Sequence, residues 1–140
     1  MGLVKSHALR LTDAVDLKES IVDYVKKNSI QAGYIATCVG GLSEARIRMP
    51  GARDYKQLSE DLEIVSVVGT LSPDGCHIHM SVSDKEGNVI GGHLATGCRV
   101  RLTAEVVMIE DSHHRFSREW DRSTGYQELV IQRVSESRVH

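Results

Sequence analysis

The sequence predicts an α+β domain with one main helix and a mostly antiparallel sheet. Three observations lead there. A single segment near the N-terminus repeats its apolar residues at helical spacing. Seven or eight other runs are β-branched or alternating, as strands are. Most of these runs follow one another through connections too short for parallel crossovers. At 140 residues the chain can bury a real core. One domain over 1–140 is expected, with its core at about 6–134.

The first strand is predicted at Ser6–Leu11. In the segment that follows, Asp16 stands as an N-cap and Glu19, three residues on, completes a capping-box pattern. Leu17, Ile21, Tyr24 and Val25 share one helical face, Lys26 and Lys27 suit the C-terminal dipole, and Gly33 marks the exit. Tyr34–Val39 reads as a strand, Gly40-Gly41 as a bend, and Glu44–Met49 as a second strand with Arg46 and Arg48 on one face. Pro50–Asp61 reads as a polar loop opening on a Pro-Gly turn. Leu62–Leu71, Cys76–Ser83, Asn88–Ala95 and Arg99–Ile109 are strand-like, Asp111–Gly125 is polar, and Gln127–Val134 makes a last strand.

Composition excludes several classes. A net charge of -2 and the scarcity of aromatics leave no basic, aromatic platform for nucleic acid. No apolar run approaches membrane-spanning length. Cys38, Cys76 and Cys98 are odd in number, form no C-x-x-C, and follow no signal peptide. Free thiols in a reducing, cytoplasmic setting are the expectation. The opening MGLVKS fits the pattern for lipidation at Gly2, against the strand character of the residues that follow.

Chemistry concentrates in Cys76–Leu94, CHIHMSVSDKEGNVIGGHL, which holds three of the seven histidines. On a strand His77, His79 and Ser81 point one way, and Cys76, Ile78, Met80 and Val82 the other. A three-residue loop would place Lys85 and Glu86 in a type I turn and Gly87 in the left-handed region. Asp84 then pairs with Asn88, His79 faces His93, and His77 lies diagonal to it. Opposed β-carbons are about 4.5–5.5 Å apart, so three imidazoles could converge on one ion. Three imidazoles with an open fourth position suit catalytic zinc, while iron, nickel or copper are also held by imidazole. A four-residue loop, or a bulge at Gly91-Gly92, would break the convergence. The two glycines would also leave room beside His93 for a ligand or another backbone. The same spacing suits three histidines on a half-exposed face that bond only to neighbours.

The stretch GTLSPDGCHIHMSVSDKEGNVIGGHL resembles the signature of the plants-and-prokaryotes conserved (PPC) domain. The likeness extends from the opening strand and helix through LEIVSVVGTL to DRSTGYQELVI, about Ser6 to Val134. It implies a strongly bent antiparallel sheet, a homotrimer, and a sheet architecture similar to that of acetolactate decarboxylase. That enzyme holds zinc with an H-x-H pair and a third histidine. The matching positions are His77, His79 and His93, so a divalent ion, zinc first, is the implied cofactor. Plant members bind AT-rich DNA through a separate R-G-R-P hook. This chain has none, and its two prolines, Pro50 and Pro73, lie in other contexts, so nucleic acid is not an expected partner.

Other residues carry weaker signals. His113 and His114 lie in the polar stretch and are expected to be solvated. Strand alternation separates Cys76 from His77, which argues against a thiol nucleophile. Arg46 with Arg48, and Arg99 with Arg101, could hold an anion or a carboxylate across a subunit boundary, or simply face solvent. Arg118, Glu119, Asp121 and Arg122 have the polar mix of an interface or active-site loop. Glu44, Glu119 and Glu128 are candidate proton-transfer groups. Two functions remain open. One is a trimeric metal-dependent enzyme acting on a small molecule by hydrolysis, decarboxylation or isomerisation. The other is a non-catalytic trimeric module that displays a surface to a protein partner.

Overall fold

The computed structural model describes residues 4–134; Gly2 lies outside them. One helix and eight strands follow the order β1 (Val4–Thr12), α1 (Leu17–Lys27), β2 (Gly33–Arg48), β3 (Tyr55–Ser72), β4 (Gly75–Ser83), β5 (Val89–Leu94), β6 (Arg99–Asp111), β7 (His114–Asp121) and β8 (Tyr126–Arg133). Six strands form one antiparallel sheet in the order β1-β6-β2-β3-β4-β5, and β7-β8 form a separate hairpin. The end of β2 also pairs with β5, Ile47 with Leu94 and Arg48 with His93. The sheet thus bends until β2, β3, β4 and β5 close on one another.

Helix α1 begins where expected. The Asp16 carboxylate accepts the Glu19 backbone N–H at 2.9 Å, and its other oxygen accepts from Gly97 at 2.7 Å. One side chain therefore caps the helix and ties it to the turn before β6. Leu17, Ile21 and Val25 are fully buried and join the core with Leu42, Ile47, Ile78, Met80, Val82, Leu94 and Val100. The helix exit differs from expectation. Asn28 caps it and Ser29 takes a positive φ of 50°, so Gly33 instead opens β2. There it lets β6 approach, since a β-carbon at Gly33 would meet the Ile109 carbonyl at 2.8 Å.

Three further corrections concern β structure. Tyr34–Arg48 is not two strands about a bend but part of one long strand, β2, with register shifts at Ile35/Thr37, Gly40/Gly41 and Leu42/Glu44. Gly40 is required because a β-carbon would lie 2.3 Å from the Thr103 carbonyl. Most of the predicted loop Pro50–Asp61 is strand, because Tyr55–Ser59 pair with Glu44–Arg48 as a hairpin arm. The polar stretch after Asp111 holds β7, whose partner β8 supplies the backbone bonds that its sequence does not advertise. His113 and His114 are accordingly half-buried rather than free in solvent. The His114 ring is hydrogen-bonded to Asp111 at 2.6 Å, and His113 buries its Nε2.

Closure of the sheet depends on Gly92. A β-carbon there would meet the Arg48 carbonyl at 2.7 Å and the Ile47 side chain at 2.9 Å. Gly92→Ala should cost about 1–3 kcal/mol by overpacking. Gly87→Ala, with open space but a φ of 83°, should cost about 1–2 kcal/mol by backbone strain alone. Urea unfolding measures both, and a Gly92→Ala cost within the surface range of about 0.5 kcal/mol would refute the packing account.

Candidate metal centre

The β4–β5 hairpin has the predicted loop. Asp84 N–H donates to the Asn88 carbonyl at 3.0 Å, Gly87 N–H to the Asp84 carbonyl at 3.1 Å, and Gly87 has φ 83°. The Asp84 side chain accepts from both Glu86 N–H and Asn88 N–H at 2.9 Å. The register then runs without a slip from Ser83↔Val89 to His79↔His93. The bulge that Gly91-Gly92 could have introduced does not occur. Instead both glycines admit neighbouring backbone, Gly91 that of Met80 and Gly92 that of Arg48.

His77, His79 and His93 come together as the spacing predicts. Ring centroids are 4.9 Å apart for His77–His79, 5.4 Å for His77–His93 and 5.6 Å for His79–His93. One ring nitrogen from each lies within 4.8 Å of the other two. In a tetrahedral zinc site ligand nitrogens are about 3.4 Å apart, given Zn–N of about 2.0–2.1 Å. Small side-chain rotations separate the two arrangements, so the cluster can coordinate a divalent ion. The Nε2 atoms of His77 and His79 are already 3.1 Å apart. On the other side of β4, Ile78, Met80 and Val82 are buried and anchor the strand.

The electrostatics favour the neutral imidazole, the form that binds metal, at His77 and His93. Burial, then the nearby Arg48 guanidinium, pushes His93 down to about 4. His77 is lowered by burial, then by His79 and Arg118, while Glu128 pulls it back up.

The three rings open onto a cavity of about 890 Å³. Its walls include Arg48, Asp74, Arg118, Tyr126 and Glu128. Of the three carboxylates singled out in the sequence, only Glu128 lines it. Glu44 lies 3.6 Å from Arg99 instead, and Glu119 is exposed. Arg101 is likewise paired, with Asp61 at 3.0 Å. The wall formed by Arg118, Tyr126 and Glu128 comes from β7 and β8, and Asp74 from the β3–β4 turn. Their convergence with the histidines is set by tertiary structure and leaves no local pattern. Cys76 is half-buried, its thiol raised first by burial, which disfavours the thiolate a nucleophile needs. A second unforeseen group is His7, which is buried, hydrogen-bonded to the Tyr24 hydroxyl at 2.8 Å and to Glu110 at 2.9 Å. It joins α1 to β1 and β6 and does not line the cavity.

The Asp84 carboxyl is held below the usual carboxylate range, first by the Asn88 N–H. A carboxyl depressed on folding stabilises the fold above its unfolded pKa and loses that effect as pH falls through the folded one. Asp84→Ala should therefore lower Tm at pH 7, with the gap from wild type shrinking below about pH 4. A gap of constant size from pH 7 to pH 3 would show that the charge plays no part in holding the turn.

Comparison with known proteins identifies the fold and the family. A hypothetical protein of Salmonella enterica superposes with TM-score 0.89 at 35% identity, over 93% of this chain and 94% of that one. A metal-containing protein of Archaeoglobus fulgidus gives TM-score 0.75 at 29% identity, over 90% and 93%. The bifunctional protein GlmU of a Synechococcus strain is 40% identical over 97% of this chain. The chain spans only 22% of that relative's length. A Staphylococcus aureus protein similar to alpha-acetolactate decarboxylase shares the fold at TM-score 0.51 and 16% identity, over 72% of this chain and 50% of that one. The bent-sheet architecture expected from the sequence is thus present. The model of the Plants and Prokaryotes Conserved (PCC) domain matches residues 2–112, and the chain belongs to that family.

Proposed function

We propose that the protein is a homotrimeric, metal-dependent enzyme acting on a small molecule, with one divalent ion, zinc, held by His77, His79 and His93. The observation that carries this reading is the convergence of three ring nitrogens within 4.8 Å at the edge of a cavity. The Archaeoglobus relative described as metal-containing supports it. Three imidazoles leave a fourth position for water or substrate, the arrangement of catalytic rather than structural zinc. A bound ion would supply Lewis acidity toward a carbonyl or a bound water. Glu128, half-buried on the cavity wall, is the group placed to take or give a proton. Among the described residues no helix is long and apolar enough to cross a membrane.

The trimer has its own support. Val39 on β2 and Val65 and Val68 on β3 are more than half exposed, on adjacent strands. Val68 stands directly opposite His79, so a subunit covering it would border the metal centre. Apolar area of this kind favours an interface over water.

Elemental analysis of the purified, tag-free chain should find about one metal per chain. His79→Ala should lose it, and Glu128→Gln should keep it while losing turnover. No metal after incubation with zinc would end the enzyme reading and favour the non-catalytic assembly module. Light scattering should give three times the mass of the chain, and Val65→Asp with Val68→Asp should lower it. A monomeric wild type at tens of micromolar would refute the trimer.

A further inference from the structure

Two arginines border the three histidines, and among the described residues neither guanidinium forms an ion pair, although the Arg118 backbone N–H donates to the Asp74 carboxylate at 3.2 Å. Arg48 pairs with His93 across the β2–β5 ladder. Opposed residues project to the same face of a sheet, with β-carbons about 4.5–5.5 Å apart. Arg48, His93, His79 and Val68 therefore form one cross-strand row. Arg118 arrives from the other side. Its Nη2 donates to the Thr70 hydroxyl at 3.1 Å, and Thr70 stands directly opposite His77. Both arginines are half-buried and both line the cavity.

Elsewhere on the sheet Arg99 pairs with Glu44, Arg101 with Asp61, and Arg46 stacks on the Tyr55 ring, while Arg10 bonds only the Thr103 hydroxyl. Asp74 and Glu128 line the same cavity without forming an ion pair with either guanidinium, so both forks keep donors available to an anionic ligand. A guanidinium presents a planar fork of donors that matches a carboxylate. Arg118 uses one of those donors on Thr70, which fixes its orientation and leaves the rest free for a ligand.

We propose that this cavity takes a small organic monocarboxylate, its carboxylate bound between Arg48 and Arg118 and its neighbouring polar group turned toward His77, His79 and His93. The second contact rests on the metal-centre reading above; the first rests on the arginines alone. A monoanion fits better than a phosphate dianion because Asp74 and Glu128 also line the cavity and would repel the second charge. Met49, Pro50 and Ala52 supply apolar wall for a carbon skeleton, in a volume of the size that holds small metabolites.

The test is calorimetric titration at fixed ionic strength, on chelator-stripped and zinc-reconstituted protein. The probes are pyruvate, its neutral amide pyruvamide, and inorganic phosphate. Pyruvate should bind at one site per chain, and pyruvamide at least about tenfold more weakly. Arg48→Gln and Arg118→Gln should each weaken pyruvate about tenfold or more, leave pyruvamide unchanged, and keep the zinc content of wild type. Arg99→Gln should behave as wild type. Equal binding of pyruvate and pyruvamide would overturn the proposal, as would arginine variants that bind like wild type, tighter binding of phosphate, or no binding at all. Zinc content of the same samples separates the two readings. Protein that takes no zinc but still selects pyruvate through both arginines loses the metal centre and keeps this inference. Zinc-loaded protein without that selectivity loses this inference and keeps the metal centre.

Discussion

The convergence of the three histidines hangs on the pairing of Asp84 with Asn88 at the tip of the β4–β5 hairpin. Side chains on a strand repeat every two residues, so a slip of one would turn His93 to the opposite face from His77 and His79. Nothing in the imidazoles themselves prevents that slip. The turn does, through Gly87 at positive φ and an Asp84 carboxylate that accepts two backbone N–H groups. Buried Ile78, Met80 and Val82 enforce the same register from beneath, because a slip would expose all three. Turn chemistry and core burial agree here, and that agreement makes one arrangement of the histidines dominant.

Sheet closure adds the second requirement. The β4–β5 hairpin would be a projecting edge if β5 paired only with β4. The short pairing of Ile47 and Arg48 with Leu94 and His93 joins it to β2 and brings Arg48 beside the histidines. Closure is a matter of backbone approach, which explains the missing side chains at Gly69, Gly91 and Gly92. A β-carbon at each would come within 2.6 to 2.7 Å of a carbonyl oxygen on a neighbouring strand. Gly92 precedes His93, Gly69 faces Ile78 between the other two histidines, and Gly91 faces Ser81, so they set how closely the histidine-bearing strands pack. A site built on paired strands holds its geometry better than one on loops.

The hairpin and its histidines were readable from the sequence because local rules govern them: strand alternation, turn type, and a glycine at the left-handed position. The helix start was readable for the same reason, since Asp16 and Glu19 mark it within four residues. What escaped was non-local. β7 looked like loop because its polar residues become strand only through pairing with β8. Tyr55–Asp61 looked like loop because both of its faces are mostly exposed, which removes the alternation that marks a half-buried strand. His113 and His114 looked solvated because the polar stretch around them reads as loop, although the Asp111 partner lies only two and three residues away. Arg48, Arg118 and Glu128 could be named as polar residues, but no spacing relates them to His77. Their meeting is a property of the closed sheet and of the hairpin laid against it.

That hairpin also divides the site. The family match ends at residue 112, and β7 begins at His114. His77, His79, His93 and Arg48 lie inside the matched region, on strands whose register the core enforces. Arg118, Tyr126 and Glu128 lie beyond it, on a two-stranded unit joined to the main body by few bonds, among them Phe116 N–H to the Gln31 carbonyl and Arg118 to Thr70. A rigid sheet can keep an ion-binding geometry while the wall that meets the rest of the ligand changes, because side chains on β7 and β8 can be exchanged without disturbing the buried core. The histidine cluster and Arg48 thus belong to the sheet, and the facing wall of the cavity belongs to the hairpin.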